Sequence, residues 1–89
     1  MPRYVLRMEG DEVEKQYANL PEDTRQLVNQ RIEELLENPT GHPDWRYEKQ
    51  FDQHYIPIGD ADNDKGLILY TVVESARMVF VLRFTPGLD

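Results

Sequence analysis

Residues 67–84 read LILYTVVESARMVFVLRF, and this stretch decides the fold. Leu67 to Glu74 and Arg77 to Phe84 are two runs rich in β-branched and aromatic residues, with Ser75-Ala76 between them as the turn. They predict an antiparallel hairpin. Along the second run Met78, Phe80, Leu82 and Phe84 form the bulkier apolar row, expected to face the core. Arg77, Val79, Val81 and Arg83 form the opposite row, with an arginine at each end.

Upstream of the hairpin, Gly59 to Gly66 reads as a polar loop, and the chain from about Tyr47 to Ile58 reads as extended. Pro57 cannot donate a ladder hydrogen bond, so that part belongs at an edge or a bulge. Thr40 to Arg46 holds Gly41, Pro43 and Asp44 and reads as a loop. Before it, Leu27, Val28, Ile32, Leu35 and Leu36 make one helical stripe, with Glu33, Glu34 and Glu37 toward water. Pro21 suits the first turn of this helix, and Asn38-Pro39 ends it, because a residue before proline is driven out of the helical region.

A shorter helix spans about Asp11 to Asn19, with Val13, Tyr17 and Leu20 on one side and Asp11 as its cap. Tyr4 to Met8 alternates as a first strand, Tyr4, Leu6 and Met8 opposite Val5 and Arg7. The order is β-α-α-β-β-β, an α+β fold in which a helical hairpin packs on one face of a small, mainly antiparallel sheet. The expected core between the long helix and the sheet is Leu27, Val28, Ile32, Leu35, Phe80 and Leu82. A single domain over 1–89 is expected, with a C-terminal tail over 84–89.

The chain of 89 residues carries 17 Asp and Glu against 10 Lys and Arg, a net charge of −7. Nucleic-acid affinity comes largely from neutralising phosphates, so this balance opposes general DNA or RNA binding, and no free DNA binding is expected. The acidity is uneven. Glu9 to Glu37 holds nine acids and three bases, whereas Trp45 to Phe84 is nearly neutral, with six acids and five bases. There is no cysteine, so disulfides, thiolate metal sites and cysteine catalysis are excluded. No signal peptide or membrane span is read at the N-terminus, and the expected location is cytoplasmic.

Asp60, Asp62 and Asp64 alternate like the opening of a calcium loop, but Lys65 stands where the sharp-turn glycine belongs and Thr71 where the bidentate glutamate belongs. His42 and His54 have no partners at a zinc spacing. Neither a phosphate-cradling glycine loop nor a nucleophile elbow is present. No metal or cofactor is expected.

The ordered pieces YVLRM (4–8), Asn19-Leu20-Pro21-Glu22, RQLVNQRIEELLENP (25–39), HYIPIG (54–59) and the 67–84 hairpin resemble the RelE/ParE toxin superfamily over about residues 3 to 84. The resemblance implies a bacterial protein of toxin–antitoxin type with an antitoxin as partner. Its target would be ribosome-bound mRNA or gyrase. Nuclease members carry basic residues on the strand before the hairpin, an arginine opening the strand that ends in Tyr70, and a further Arg, His or Tyr after the last strand. The matching places here are Tyr55, Pro57, Leu67 and the Pro86-Gly87 tail, none of which holds a phosphate.

Candidate replacements are Arg46, Glu48, Lys49, His54 and Arg83 for catalysis, with Glu48 or His54 as general base and an arginine on the phosphate. Arg7, Trp45 and Arg77 are candidates for contact with a partner or RNA. The plain alternative is that these are solvated side chains at strand ends, with Trp45 capping the core. Two functions follow: a toxin-like module acting by protein binding, or a ribosome-dependent mRNA endoribonuclease with an atypical site. Catalysis would use the helix-free face, where Arg7 and Arg83 are expected, whereas an antitoxin segment of the kind the resemblance implies would need exposed apolar grooves along the helices or the sheet edge.

Overall fold

The computed structural model describes residues 3–8, 10–41, 46–60 and 63–87. His42, Trp45 and Asp62 lie outside the described residues, as does the side chain of Asp60, so the readings made for them rest on sequence alone. The chain runs β1 (Val5–Met8), α1 (Gly10–Ala18), α2 (Glu22–Glu37), β2 (Arg46–Glu48), β3 (Gln53–Asp60), β4 (Asn63–Val73) and β5 (Met78–Pro86), with a single 3-10 turn, Glu74–Ala76, before β5. The five strands form one sheet in the order β1-β5-β4-β3-β2. β1 is parallel to β5, and the other neighbours are antiparallel.

Local chemistry accounts for the helices. Gly10, at φ 82, turns the chain out of β1 and begins α1, so Asp11 is not the cap. Asp11 and Glu12 instead occupy the first turn, where the helix dipole favours carboxylates. Pro21 takes the cap position of α2 with an extended backbone, and its carbonyl accepts the Arg25 amide at 2.8 Å. Val28, Ile32 and Leu35 are buried beneath α2, while Leu27 and Leu36 pack at the margin of the core. Each fully buried side chain of this kind contributes about 1.5–3 kcal/mol relative to exposure.

Four expectations change. The extended segment is two strands, because the chain reverses at 49–52, where Asp52 adopts φ 51. Arg46 thereby joins β2 rather than a loop. The polar loop expected over 59–66 is largely strand: β3 reaches Asp60, β4 starts at Asn63, and a bulge between Ile58 and Gly59 absorbs the irregularity. At the other end β5 continues to Pro86, past the start of the expected tail, since Leu67 pairs with Thr85 and Gly66 with Pro86. Among the described residues β2 pairs with β3 only as far as Tyr55, so Pro57 has no described partner on that side.

The largest correction concerns the core row of β5. Val79 and Val81 are fully buried, and Phe80 and Leu82 lie outside the core cluster. β4 and β5 slip register between Leu69 and Tyr70: Leu69 faces Arg83 and Tyr70 faces Val81, so Leu82 is the extra residue of a bulge. The bulge resets the alternation, and Phe84 comes back to the helix side, where it is 4% exposed and its ring lies 5.7 Å from that of Tyr17. The Gln16 side chain accepts the Phe84 amide at 3.0 Å, tying α1 to the strand just past the bulge.

Candidate functional site

The sheet registers lay out two faces. On the helix side, Tyr47, His54, Tyr70, Val81 and Met8 form one row across all five strands. On the opposite face, Arg46, Tyr55, Leu69 and Arg83 form a row across four strands. Beside it run Pro57–Leu67–Thr85 on one flank and Thr71–Phe80–Arg7 on the other. No described element covers this second face: α1 packs on β5 and α2 on β3 from the other side.

The candidate catalytic residues therefore do not converge. Arg46 and Arg83 share a row, but Tyr55 and Leu69 stand between them. At roughly 4.8 Å per strand spacing, the three intervals separate their backbones by about 14 Å. Glu48 is exposed at the end of β2, where its Oε1 accepts the Gln50 amide at 3.1 Å, and Lys49 is exposed in the turn that follows. Arg7 is exposed on β1 on the same face as Arg83.

His54 lies on the wrong side of the sheet for these residues. Its ring stacks on Tyr70 at 5.4 Å and 22° and meets Tyr47 at 4.9 Å. Partial burial holds its imidazole below the usual range, offset in part by the charge of Asp52. Stacked between Tyr47 and Tyr70, His54 faces the helix layer, across the sheet from Arg83.

Arg77 has left the strand altogether. It adopts φ 48, ψ 55 at the end of the 3-10 turn, and its guanidinium lies 4.9 Å over the Tyr4 ring. The Tyr4 hydroxyl donates to Glu74 at 2.8 and 2.9 Å, a bond that raises its pKa. Arg77 thus belongs to a cluster that holds the parallel β1 to the turn, together with the 2.8 Å bond from the Val5 amide to the Arg77 carbonyl.

Two features were not anticipated from sequence. One is the Tyr47–His54–Tyr70 stack, anchored at its buried end and 43% exposed at Tyr47, whose hydroxyl donates to Asp52 at 2.7 Å. Its signal was the i, i+7 spacing of Tyr47 and His54 around a turn, which means nothing until that turn is known. The other is a groove of about 320 Å³ between α2 and β3, lined by Leu27, Gln30, Arg31, Glu34 and Gly59. Arg31 spans it, pairing with Glu34 at 3.1 Å and donating to the Gly59 carbonyl at 3.4 Å. Among the described residues no group of three or more His, Asp or Glu side chains is placed to hold a metal ion. None of the described helices is long and apolar enough to cross a membrane.

Two antiparallel-connected helices on one face of a five-stranded sheet, with β1 added in parallel at its edge, define an α+β fold of the kind found in small toxin proteins. The fold is that of RelE. The isolated Escherichia coli RelE toxin superposes with a TM-score of 0.78 at 19% identity, covering 97% of this chain and 86% of that one. An E. coli RelE double mutant in complex with an antitoxin RelBc peptide gives 0.75 at 19% identity, with 97% and 85% covered. The archaeal RelE–RelB complex of Pyrococcus horikoshii gives 0.67 at 16%, with 93% of each chain covered. No protein-family model matches the sequence, and no curated relative is significantly similar to it.

Proposed function

We propose that this chain is the toxin-like subunit of a toxin–antitoxin module and that it acts by binding a protein rather than by efficient RNA cleavage. The fold supports the first half, since solved chains of this fold include RelE toxins held by RelB antitoxin. The second half rests on one observation. Across the middle of the helix-free face the rows read Pro57–Leu67–Thr85 and Tyr55–Leu69. Those positions are apolar or uncharged, and phosphoryl transfer needs charge where the transition state develops it.

The arginines at both ends of the Arg46–Tyr55–Leu69–Arg83 row favour the second reading, an mRNA endoribonuclease with an atypical site. Inducing the chain alone in a bacterial host separates the two. Growth arrest without cleavage of translated messages, reversed by an antitoxin encoded beside it, is the expected outcome. Message cleavage that Arg83→Ala or Arg46→Ala abolishes would replace protein binding by catalysis.

A further inference from the structure

Glu48 and Arg46 share the helix-free face of β2, because Tyr47 between them belongs to the other side. Glu48 pairs with Gln53, one step from His54, just as Thr71 lies one step from Tyr70. Glu48 therefore ends the row that begins Arg7–Phe80–Thr71. That row runs from a cation on one edge strand, β1, to an anion on the other, β2. In the next row Arg83 on β5 and Tyr55 on β3 flank Leu69 on β4. Between the charges the face is apolar: Leu67, Leu69, Phe80 and Met78 are only half-buried, and Val5 is 52% exposed. Arg7, Glu48 and Arg83 are exposed, and the ion pairs found among the described residues include none of them.

A face with this pattern is complementary to itself. A two-fold axis along β4, the middle strand, lays β1 of one copy over β2 of the other and β5 over β3. Arg7 of each copy then meets Glu48 of the other within one row. Arg83 comes over the Tyr55 ring of the facing copy, a cation–π placement. Leu67, Leu69 and Val73 meet their own counterparts on the axis, which closes the apolar middle. Arg46 sits at the rim, past the last residue of the facing β1. An axis across the strands would instead set Arg7 on Arg7 and Glu48 on Glu48, and like charges so placed are costly. Two sheets of one twist related by an axis along their strands also stay parallel as surfaces, as in an aligned sandwich.

We infer that the chain forms a homodimer through the helix-free faces of two copies, with β4 on the two-fold axis. The net charge of −7 does little against it, because the acid is concentrated on α1 and α2, at the outer sides of the sandwich. Packed sheets lie roughly 10 Å apart and each helix layer adds roughly 10 Å. The two acidic layers thus stand about 30 Å apart, several Debye lengths at physiological salt. Five strands at about 4.8 Å, by the roughly 20 Å from Leu67 to Val73, give about 480 Å² of flat area per copy. The total of about 1,000 Å² is near the lower bound for a specific interface, so the dimer is a weak one. The inference goes beyond the protein-binding reading and stands apart from it. In the dimer this face is closed to RNA, while the helices and sheet edges remain open to a protein target.

The test is analytical ultracentrifugation of the full chain from about 1 to about 500 μM, with amide spectra of the labelled chain over the same dilution. A monomer–dimer equilibrium is expected, with dilution shifts at Tyr55, Leu69 and Phe80. Arg7→Glu and Glu48→Arg should each weaken the dimer at least about tenfold, since each variant sets like charges together twice. Mixing the two variants should restore it, because Glu at 7 then faces Arg at 48 and Glu48 faces Arg7. Both positions are exposed, and an otherwise unchanged amide spectrum verifies that each variant folds. A monomer at every concentration, dilution shifts confined to the helices, or a dimer indifferent to both substitutions would overturn the inference. Two weakened variants that do not recover on mixing would overturn it as well. Should a variant not fold, the wild-type dilution shifts decide between this face and any other.

Discussion

The hydroxyl of Tyr70, in the middle of β4, donates to the carbonyl of Pro39, 2.6 Å away and just past the end of α2. Both residues are buried, and burial raises the Tyr70 pKa well above that of a free phenol. The bond joins the centre of the sheet to the segment that leaves the helix layer. Tyr70→Phe keeps the ring packing and strands a buried carbonyl, which typically costs about 1–3 kcal/mol. Urea denaturation is expected to show that loss with an unchanged slope; a loss below about 0.5 kcal/mol would mean that water replaces the hydroxyl.

The helix phase is tested at Leu35, which is fully buried against the sheet. Leu35→Ala is expected to destabilise by about 2–5 kcal/mol, and Ile32→Ala, 7% exposed in the wild type, by a similar amount. Exposed Glu33, which pairs with Arg3 at 2.6 Å, gives the contrast: Glu33→Ala should change stability by less than about 1 kcal/mol. Equal effects at Glu33 and Leu35 would show that α2 is rotated from its described position.

His54 makes stability depend on pH. Its folded pKa lies below the ordinary value of about 6.5, so between the two values the unfolded chain binds more protons than the folded one. Stability is therefore undiminished above about pH 6.5 and falls as pH drops toward the folded pKa, below which the loss is complete. The His54 ring-proton titration should give a midpoint below 6.5, and His54→Gln should remove this part of the acid slope. A midpoint above 6.5 would contradict its stacked, partly buried placement.

Gly66 holds the far end of the β4–β5 pair. It adopts φ 122, and a Cβ there would stand 1.9 Å from the Thr85 carbonyl oxygen, a backbone atom that cannot step aside. Gly66→Ala is expected to cost about 1–3 kcal/mol or more, through strain and loss of the last pairings of β5. Faster amide exchange from Leu67 and Thr85 onward is the accompanying signature; unchanged exchange there would show that the strand end carries no weight in the fold.

Much of the site was unreadable in the sequence for a particular reason. Arg7 could be assigned to the helix-free face from alternation, and Tyr55, Pro57 and Leu67 do lie there, but Arg83 reaches that face only because the bulge at Leu82 takes it out of the row of Val79 and Val81. His54 could not be assigned, because its side depends on where the chain turns between β2 and β3, and Asp52 makes that turn in a left-handed conformation that no glycine announces. Arg77 reads as the first residue of a strand, yet its backbone belongs to the preceding turn.

What the sequence determined by itself is local. The stripe from Leu27 to Leu36, the proline stops at Pro21 and Pro39 and the alternation of Tyr4 to Met8 each depend on neighbours within a few positions, and each element formed where those patterns place it. The acid on the helices was equally legible. Tertiary structure alone decided which row of β5 faces the helices. Bulk favours the row of Met78, Phe80 and Leu82, and the other row is apolar only at Val79 and Val81, so composition along the strand does not point to the row that is buried. The choice falls to pairing with β4 and β1 and to the bulge at Leu82, which lets Val79, Val81 and Phe84 all reach the core. Placing the two valines inward also left Met78 and Phe80 outside, and the open face owes its apolar character to that long-range pairing.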